Sequence, residues 1–173
     1  GVTLPAAALN AMRRDALDRL LEQRAAVHAH ERRPFAFLPP EWHVPAAAPA
    51  LWARFYSAEQ IVRADAFDRM LLPAARITPE LISAYGGRLI AQLPTVLFPE
   101  DEDAFAARLA GLRDVGLRET YAENIYGIAL SRRLGLIVHG GMLLNVLNTE
   151  ALRAYADAGV ASVTLSFETA MAK

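Results

Sequence analysis

From Ala6 to about Arg33 apolar side chains return at three- and four-residue steps: Leu9, Met12, Ala16, Leu20 and Val27. Arg13, Arg14, Asp18, Glu22 and Arg24 fill the opposite side, so the spacing predicts one amphipathic helix. Thr3 and Pro5 are its start signals and Pro34 its stop. Pro39, Pro40, Pro45 and Pro49 then fall within eleven residues. Proline removes the backbone donor that helix and central strand both need, so this stretch reads as an extended linker. The chain thus divides into a helical segment over 1–38, a proline-rich linker over 39–50 and a second region over 51–173.

Past the linker the rhythm changes to short apolar runs separated by amphipathic ones. Strands are expected over Leu51–Tyr56, Phe67–Leu72, Arg88–Val96, Leu117–Ala122, Leu136–His139 and Ala161–Ser166. Between them fall a brief helix at Ser57–Ala64 and others at Thr78–Tyr85, from Asp101 to Gly116, at Ile128–Leu134 and at Thr149–Ala158. Asp101, Glu102 and Asp103 place negative charge at a helix start, where it complements the dipole. Gly116 and Gly159 are stops, and Asn148 is an N-cap. Pro94 frays the end of the third strand. Strand and helix alternating with short connections imply a parallel sheet with helices outside it. The strands are rich in Val, Ile and Leu, as when both faces are buried. An open doubly wound sheet and a barrel both fit this periodicity. The absence of a Gly-x-Gly-x-x-Gly turn weakens the dinucleotide-binding form of the first.

Of the 173 residues 54% are hydrophobic and 21% charged, which is enough for a large core. A net charge of −1 gives no basic field for gripping phosphates. There is no cysteine, which excludes disulfides, cysteine nucleophiles and thiolate metal sites in these residues. No apolar run approaches the ~20 residues of a membrane span, and no secretory signal opens the chain, so the expected location is cytoplasmic. The chain opens at Gly1 and stops at Lys173, directly after a strand-like run, and reads as a piece of a longer protein.

Four segments carry a family resemblance. Leu9-Asn10-Ala11-Met12-Arg13-Arg14-Asp15-Ala16-Leu17 is similar to the "L-N-x-x-R-R-x-A-[LI]" helix that ends the collagenase-associated domain of long peptidase U32 (collagenase-like) proteins. Asn124-Ile125-Tyr126-Gly127-Ile128-Ala129-Leu130 resembles that family's "N-L-G-A-L-x-L" segment. The run from Val138 to Asn148 resembles "V-H-G-D-F-x-L-N-V-F-N", and Val163–Glu168 resembles "V-T-L-S-P-E-L". The departures are Gly141 in place of Asp, Phe167 in place of Pro and Tyr126 in place of Gly. The resemblance implies a parallel (β/α) barrel, incomplete here at about six strands, preceded by the N-terminal helix. It implies a fragment of a protease of the U32 type, inactive on its own. The alternatives are part of an oxygen-independent factor hydroxylating RNA or a quinone precursor, and a non-catalytic binding or assembly module. Some members carry cysteines associated with an iron–sulfur cluster beyond the segment matching Ser166–Glu168. A cluster is therefore expected at most in the parent, and no cofactor in these residues. Peptide or RNA is the expected class of substrate, and open barrel edges predict a homo-oligomer.

In a parallel barrel the loops after the strands gather at one face, where catalytic groups sit. Glu123 and Asn124, His139, Asn145, and Ser166 to Glu168 all fall there. His139 and Glu168 are the catalytic candidates, the first as general base or ligand, the second as a carboxylate. The structural alternatives are a histidine bonded to a loop carbonyl and a solvated helix-start charge. Asn124, Asn145 and Ser166 are candidates for holding substrate, although an amide in a strand–helix loop can equally pin the backbone. Ser166 lacks a Gly-x-Ser-x-Gly elbow. His28 and His30 point apart on a helix, His43 lies in the linker, and no metal site is expected. Trp42, Trp52, Phe55 and Tyr56 read as anchors of the linker on the sheet. With no nucleophile–base pair visible, no turnover of gelatin or collagen peptides is expected.

Overall fold

A computed structural model of the chain describes residues 4–27 and 48–169. The chain forms two compact units, Gly1–Pro39 and Pro40–Lys173. In the first, helix α1 spans Ala6–Val27. The Pro5 carbonyl accepts from Ala8 and Leu9 to close its first turn, and Asp15 pairs with Arg19 one turn on at 3.0 Å. The expected extension to Arg33, the Pro34 stop, His28 and His30, and the linker with Trp42 and His43 lie outside the described residues.

The second unit alternates strand and helix. Its strands are β1 (Trp52–Arg54), β2 (Arg69–Pro73), β3 (Leu89–Gln92), β4 (Glu119–Ala122), β5 (Ile137–Gly140) and β6 (Val160–Val163). The helices are α2 (Pro79–Tyr85), α3 (Glu102–Asp114), α4 (Ile125–Arg133) and α5 (Thr149–Asp157). All six strands are parallel and stand in sequence order, β1-β2-β3-β4-β5-β6. A doubly wound sheet reverses its strand order at a switch point, and this one never does, so the barrel-like alternative is the one adopted. The sheet curls into a half-barrel. The rings of Trp52 on β1 and His139 on β5 are 5.0 Å apart, edge to face. Four strand spacings would separate them by roughly 19 Å in a flat sheet.

The helices end where glycine allows the chain to turn. Gly116 and Gly159 take positive φ values of 115° and 80° after α3 and α5. Asn148 caps α5 by accepting from the Ala151 amide at 2.8 Å, and Thr78 caps α2 through Leu81. Strand β3 stops at Gln92, two residues before Pro94. The brief helix expected at Ser57–Ala64 is instead two 3-10 turns, Ala58–Gln60 and Ala64–Ala66. The Gln60 side chain accepts from the Tyr56 and Ser57 amides at 2.7 and 3.2 Å, and the β-branched pair Ile61-Val62 follows.

The core lies between the sheet and the helices. Leu72, Leu89, Ala91 and Val138 project outward from the strands against Ile82 of α2, Leu109 and Leu112 of α3, and Ile128 and Leu130 of α4. The hydroxyls of Thr120 and Ser131, both fully buried, meet at 2.8 Å and pin β4 to α4. The concave face is different from the apolar one expected. Only Leu71, Ile90 and Tyr121 form an apolar cluster there. The register places Arg54, Leu71, Ile90 and Glu119 in one row across the sheet, and Tyr121, His139 and Ser162 in the next. The carboxylates on this face are largely buried, and it tolerates them because Arg69 pairs with Glu119 and Arg54 with Glu123.

Candidate functional site

Because side chains alternate along a strand, the odd-numbered residues of β4 and β5 all aim into the curl. His139 is the hub. Its Nε2 lies 3.1 Å from Glu119 Oε2, and its Nδ1 lies 2.7 Å from Ser162 Oγ. Glu119 Oε2 also accepts from Arg69 Nε at 3.2 Å. A chain of polar contacts therefore runs Arg69–Glu119–His139–Ser162 across four strands, β2, β4, β5 and β6. A second cluster stands beside it. Arg54 lies over the Tyr121 ring at 5.1 Å and pairs with Glu123 at 3.6 Å, and Thr95 donates to Glu123 at 3.3 Å. The Tyr121 hydroxyl lies 3.4 Å from that of Thr164.

Acid–base logic fixes the roles of the two ring nitrogens. Glu119 can only accept when ionised, so Nε2 carries the proton and Nδ1 is left to accept from the Ser162 hydroxyl. His139 is only 9% exposed. Burial, the largest cause, lowers its pKa, and the Arg69 cation adds to this, while the hydrogen bond and charge of Glu119 act in the opposite direction. A neutral imidazole with a free acceptor nitrogen beside a hydroxyl can take up a proton.

Gly141 is needed for this arrangement. A Cβ there would run into Glu123 Cγ, and would lie 2.7 Å from Tyr121 Cε1 and 2.9 Å from Glu123 Oε1. An aspartate at this position would therefore displace the carboxylate of Glu123. One acidic group occupies this part of the face, supplied by the residue that follows β4.

The five residues singled out in the sequence take separate places. His139 is at the centre of the concave network, within a strand rather than on a loop. Asn124 is committed to structure. It caps α4 by accepting from Gly127 at 2.7 Å and donates to the carbonyls of Pro94 and Thr95 at 3.1 and 2.7 Å. Asn145 is exposed and left-handed, at φ 52° and ψ 52°, a conformation that asparagine tolerates better than most residues. Ser166 is 6% exposed, and its hydroxyl accepts from the Glu168 amide at 3.3 Å. Glu168 itself is exposed beyond β6. None of these four bonds to His139. Trp52 is part of the site, its ring edge-on to His139. Phe55 packs on Phe67 at 5.6 Å, and Tyr56 is 79% exposed.

Glu119, Arg69, Arg54 and Ser162 were not anticipated. Glu119, Tyr121 and Glu123 recur at a period of two, a signal that was there to be read as one face of a strand. Ser162 carried no such signal. Among the described residues no group of three or more His, Cys, Asp or Glu could hold a metal ion. The iron–sulfur cluster that the resemblance associates with some members does not fit the residues present, since this chain has no thiolate to bind it. The chain matches no family model, no curated protein and no solved structure. No helix among the described residues is long and apolar enough to cross a membrane.

Proposed function

We propose that this chain forms one wall of a U32-type, collagenase-like peptidase site, with His139 as the general base of a hydrolytic reaction. The observation that carries this is the buried imidazole held at both nitrogens on the concave face of a parallel half-barrel, with burial lowering its pKa. The resembling segments support it by their position, since the run from Val138 to Asn148 contributes β5 with His139 and the Val163–Glu168 segment follows directly on Ser162. Arg54, Arg69 and the aromatic rings of Trp52 and Tyr121 give the wall groups that suit a polar, extended chain. Strands β1 and β6 are the edges of the sheet, and we propose that two copies of the chain associate through them.

A small activated ester tests the chemistry without requiring the remaining walls. Hydrolysis of p-nitrophenyl acetate is expected to fall at least about tenfold in His139→Gln, and in the unaltered chain to rise with pH as His139 loses its proton. Gelatin is not expected to be turned over, because one wall does not position a polymer. An ester rate unchanged in His139→Gln would overturn the hydrolytic reading.

A further inference from the structure

Strand β6 reaches β5 with a slip in register. Val138 stands opposite Val160, but His139 stands opposite Ser162 and Gly140 opposite Val163. One extra residue, Ala161, is thus accommodated on β6. In an unbroken ladder Ala161 would face His139, and Ser162 would point to the helix side. A bulge of this kind re-aims a side chain, and here it delivers a hydroxyl to the free acceptor nitrogen of the buried base. Ser162 is nevertheless exposed on its other side. It opens on a cavity of about 290 Å³ whose walls include Trp52, Tyr121, His139 and Thr164.

From this geometry we infer that Ser162 is the nucleophile of the site, activated by His139 and oriented through Glu119, for acyl transfer from a peptide or ester. The inference rests on the hydrolytic reading of the concave face. A nucleophile within hydrogen-bond reach of a base, and a base held by a third group, is the arrangement that covalent catalysis requires. The distances are 2.7 Å from Ser162 Oγ to His139 Nδ1 and 3.1 Å from His139 Nε2 to Glu119. Relative to the familiar serine hydrolase relay the two ring nitrogens exchange partners, which leaves the chemistry of the conjugated imidazole the same.

The step balances within these groups and one water. Ser162 Oγ bonds to the acyl carbon, its proton passes to His139 Nδ1, and the carbonyl electron pair moves onto oxygen. When the tetrahedral species collapses, the bond to the leaving amine or alcohol breaks, and that group takes the proton from Nδ1. Water, deprotonated by the same nitrogen, then releases the acid and returns Ser162. Glu119, tied down by Arg69, stabilises the imidazolium that forms between the two transfers. The hydroxyls of Thr164 and Tyr121 line the same cavity and are the donors nearest in kind to what an oxyanion needs.

The test uses the full chain and a fluorophosphonate, read by intact mass and peptide mapping. One adduct on Ser162 is expected, formed faster as pH rises through the His139 titration. It should be absent in Ser162→Ala and form about a hundredfold more slowly in His139→Gln. Because the chain has no cysteine, Ser162→Cys supplies a unique thiol and a second readout that needs no loss of side chain. Its alkylation by iodoacetamide should proceed at a lower pH than that of an ordinary cysteine, and revert when His139→Gln is added. No adduct on Ser162 in the folded chain, or equal labelling with and without His139, would overturn the assignment. If Ser162→Ala keeps the ester hydrolysis that His139→Gln loses, the base acts on water directly and only the nucleophile falls. If both variants keep it, the hydrolytic reading itself is lost.

Discussion

Burial decides the state of His139 against a carboxylate that would favour its charged form. The consequence is linked to stability. In the unfolded chain a histidine takes up its proton at about pH 6.5, whereas in the fold it does so only at lower pH. Between those two values the unfolded state binds more protons, so stability falls as pH drops through this window and is fully present above it. Urea unfolding at pH 7 and again near pH 5 is therefore expected to show a larger loss for the unaltered chain than for His139→Gln. An equal loss in both would mean that His139 is not held neutral by the fold. Gly141 is a residue-scale condition of the same site, since any side chain there collides with Glu123 and Tyr121.

At the scale of elements, capping joins the strands to the helices and puts the concave wall in place. Asn124 links the loop after β3 to the start of α4 with one accepted and two donated hydrogen bonds. Asn124→Ala removes the cap and leaves two carbonyls without a partner, and should cost about 1–2 kcal/mol by urea unfolding. A change within a few tenths of a kcal/mol would show that water replaces the amide at no cost. Much of this level was legible in the sequence. The Asn148 cap, the Gly116 and Gly159 stops, the acidic start of α3 and the weakening of β3 ahead of Pro94 all follow from local chemistry and reappear in the fold. Of the candidate site, His139 and Glu123 were legible. Asn124 read as a residue for substrate although its cap on Gly127 is local, because its two donated bonds reach across sequence to Pro94 and Thr95 and nothing local announces those. Ser162 was hidden because a bulge breaks the alternation that would have assigned its face.

The whole second unit is a sheet with two ends. Among the described residues, a curl of six parallel strands in sequence order leaves β1 and β6 each paired on one side only. Parallel strands carry unpaired donors and acceptors along such edges. Self-association is the expected outcome, most simply as a two-fold dimer. Light scattering over a dilution series should show a mass that rises with concentration, and a monomer persisting at high concentration would argue against the open edges as an interface. The sequence order of the strands also explains why periodicity alone could not choose between a barrel and an open sheet. Both architectures are written in the same alternating elements, and only the neighbour relations of the strands separate them.

The claim on which the rest depends is that His139 is a neutral base with its proton on Nε2 and its Nδ1 turned to Ser162. Long-range proton–nitrogen NMR of the imidazole, followed through a pH titration, measures both properties at one residue. The Nε2–H tautomer is expected at neutral pH, with a titration midpoint below that of a free histidine that moves when Glu119 is replaced by Gln. An imidazolium already formed at neutral pH, or a proton resident on Nδ1, would contradict it.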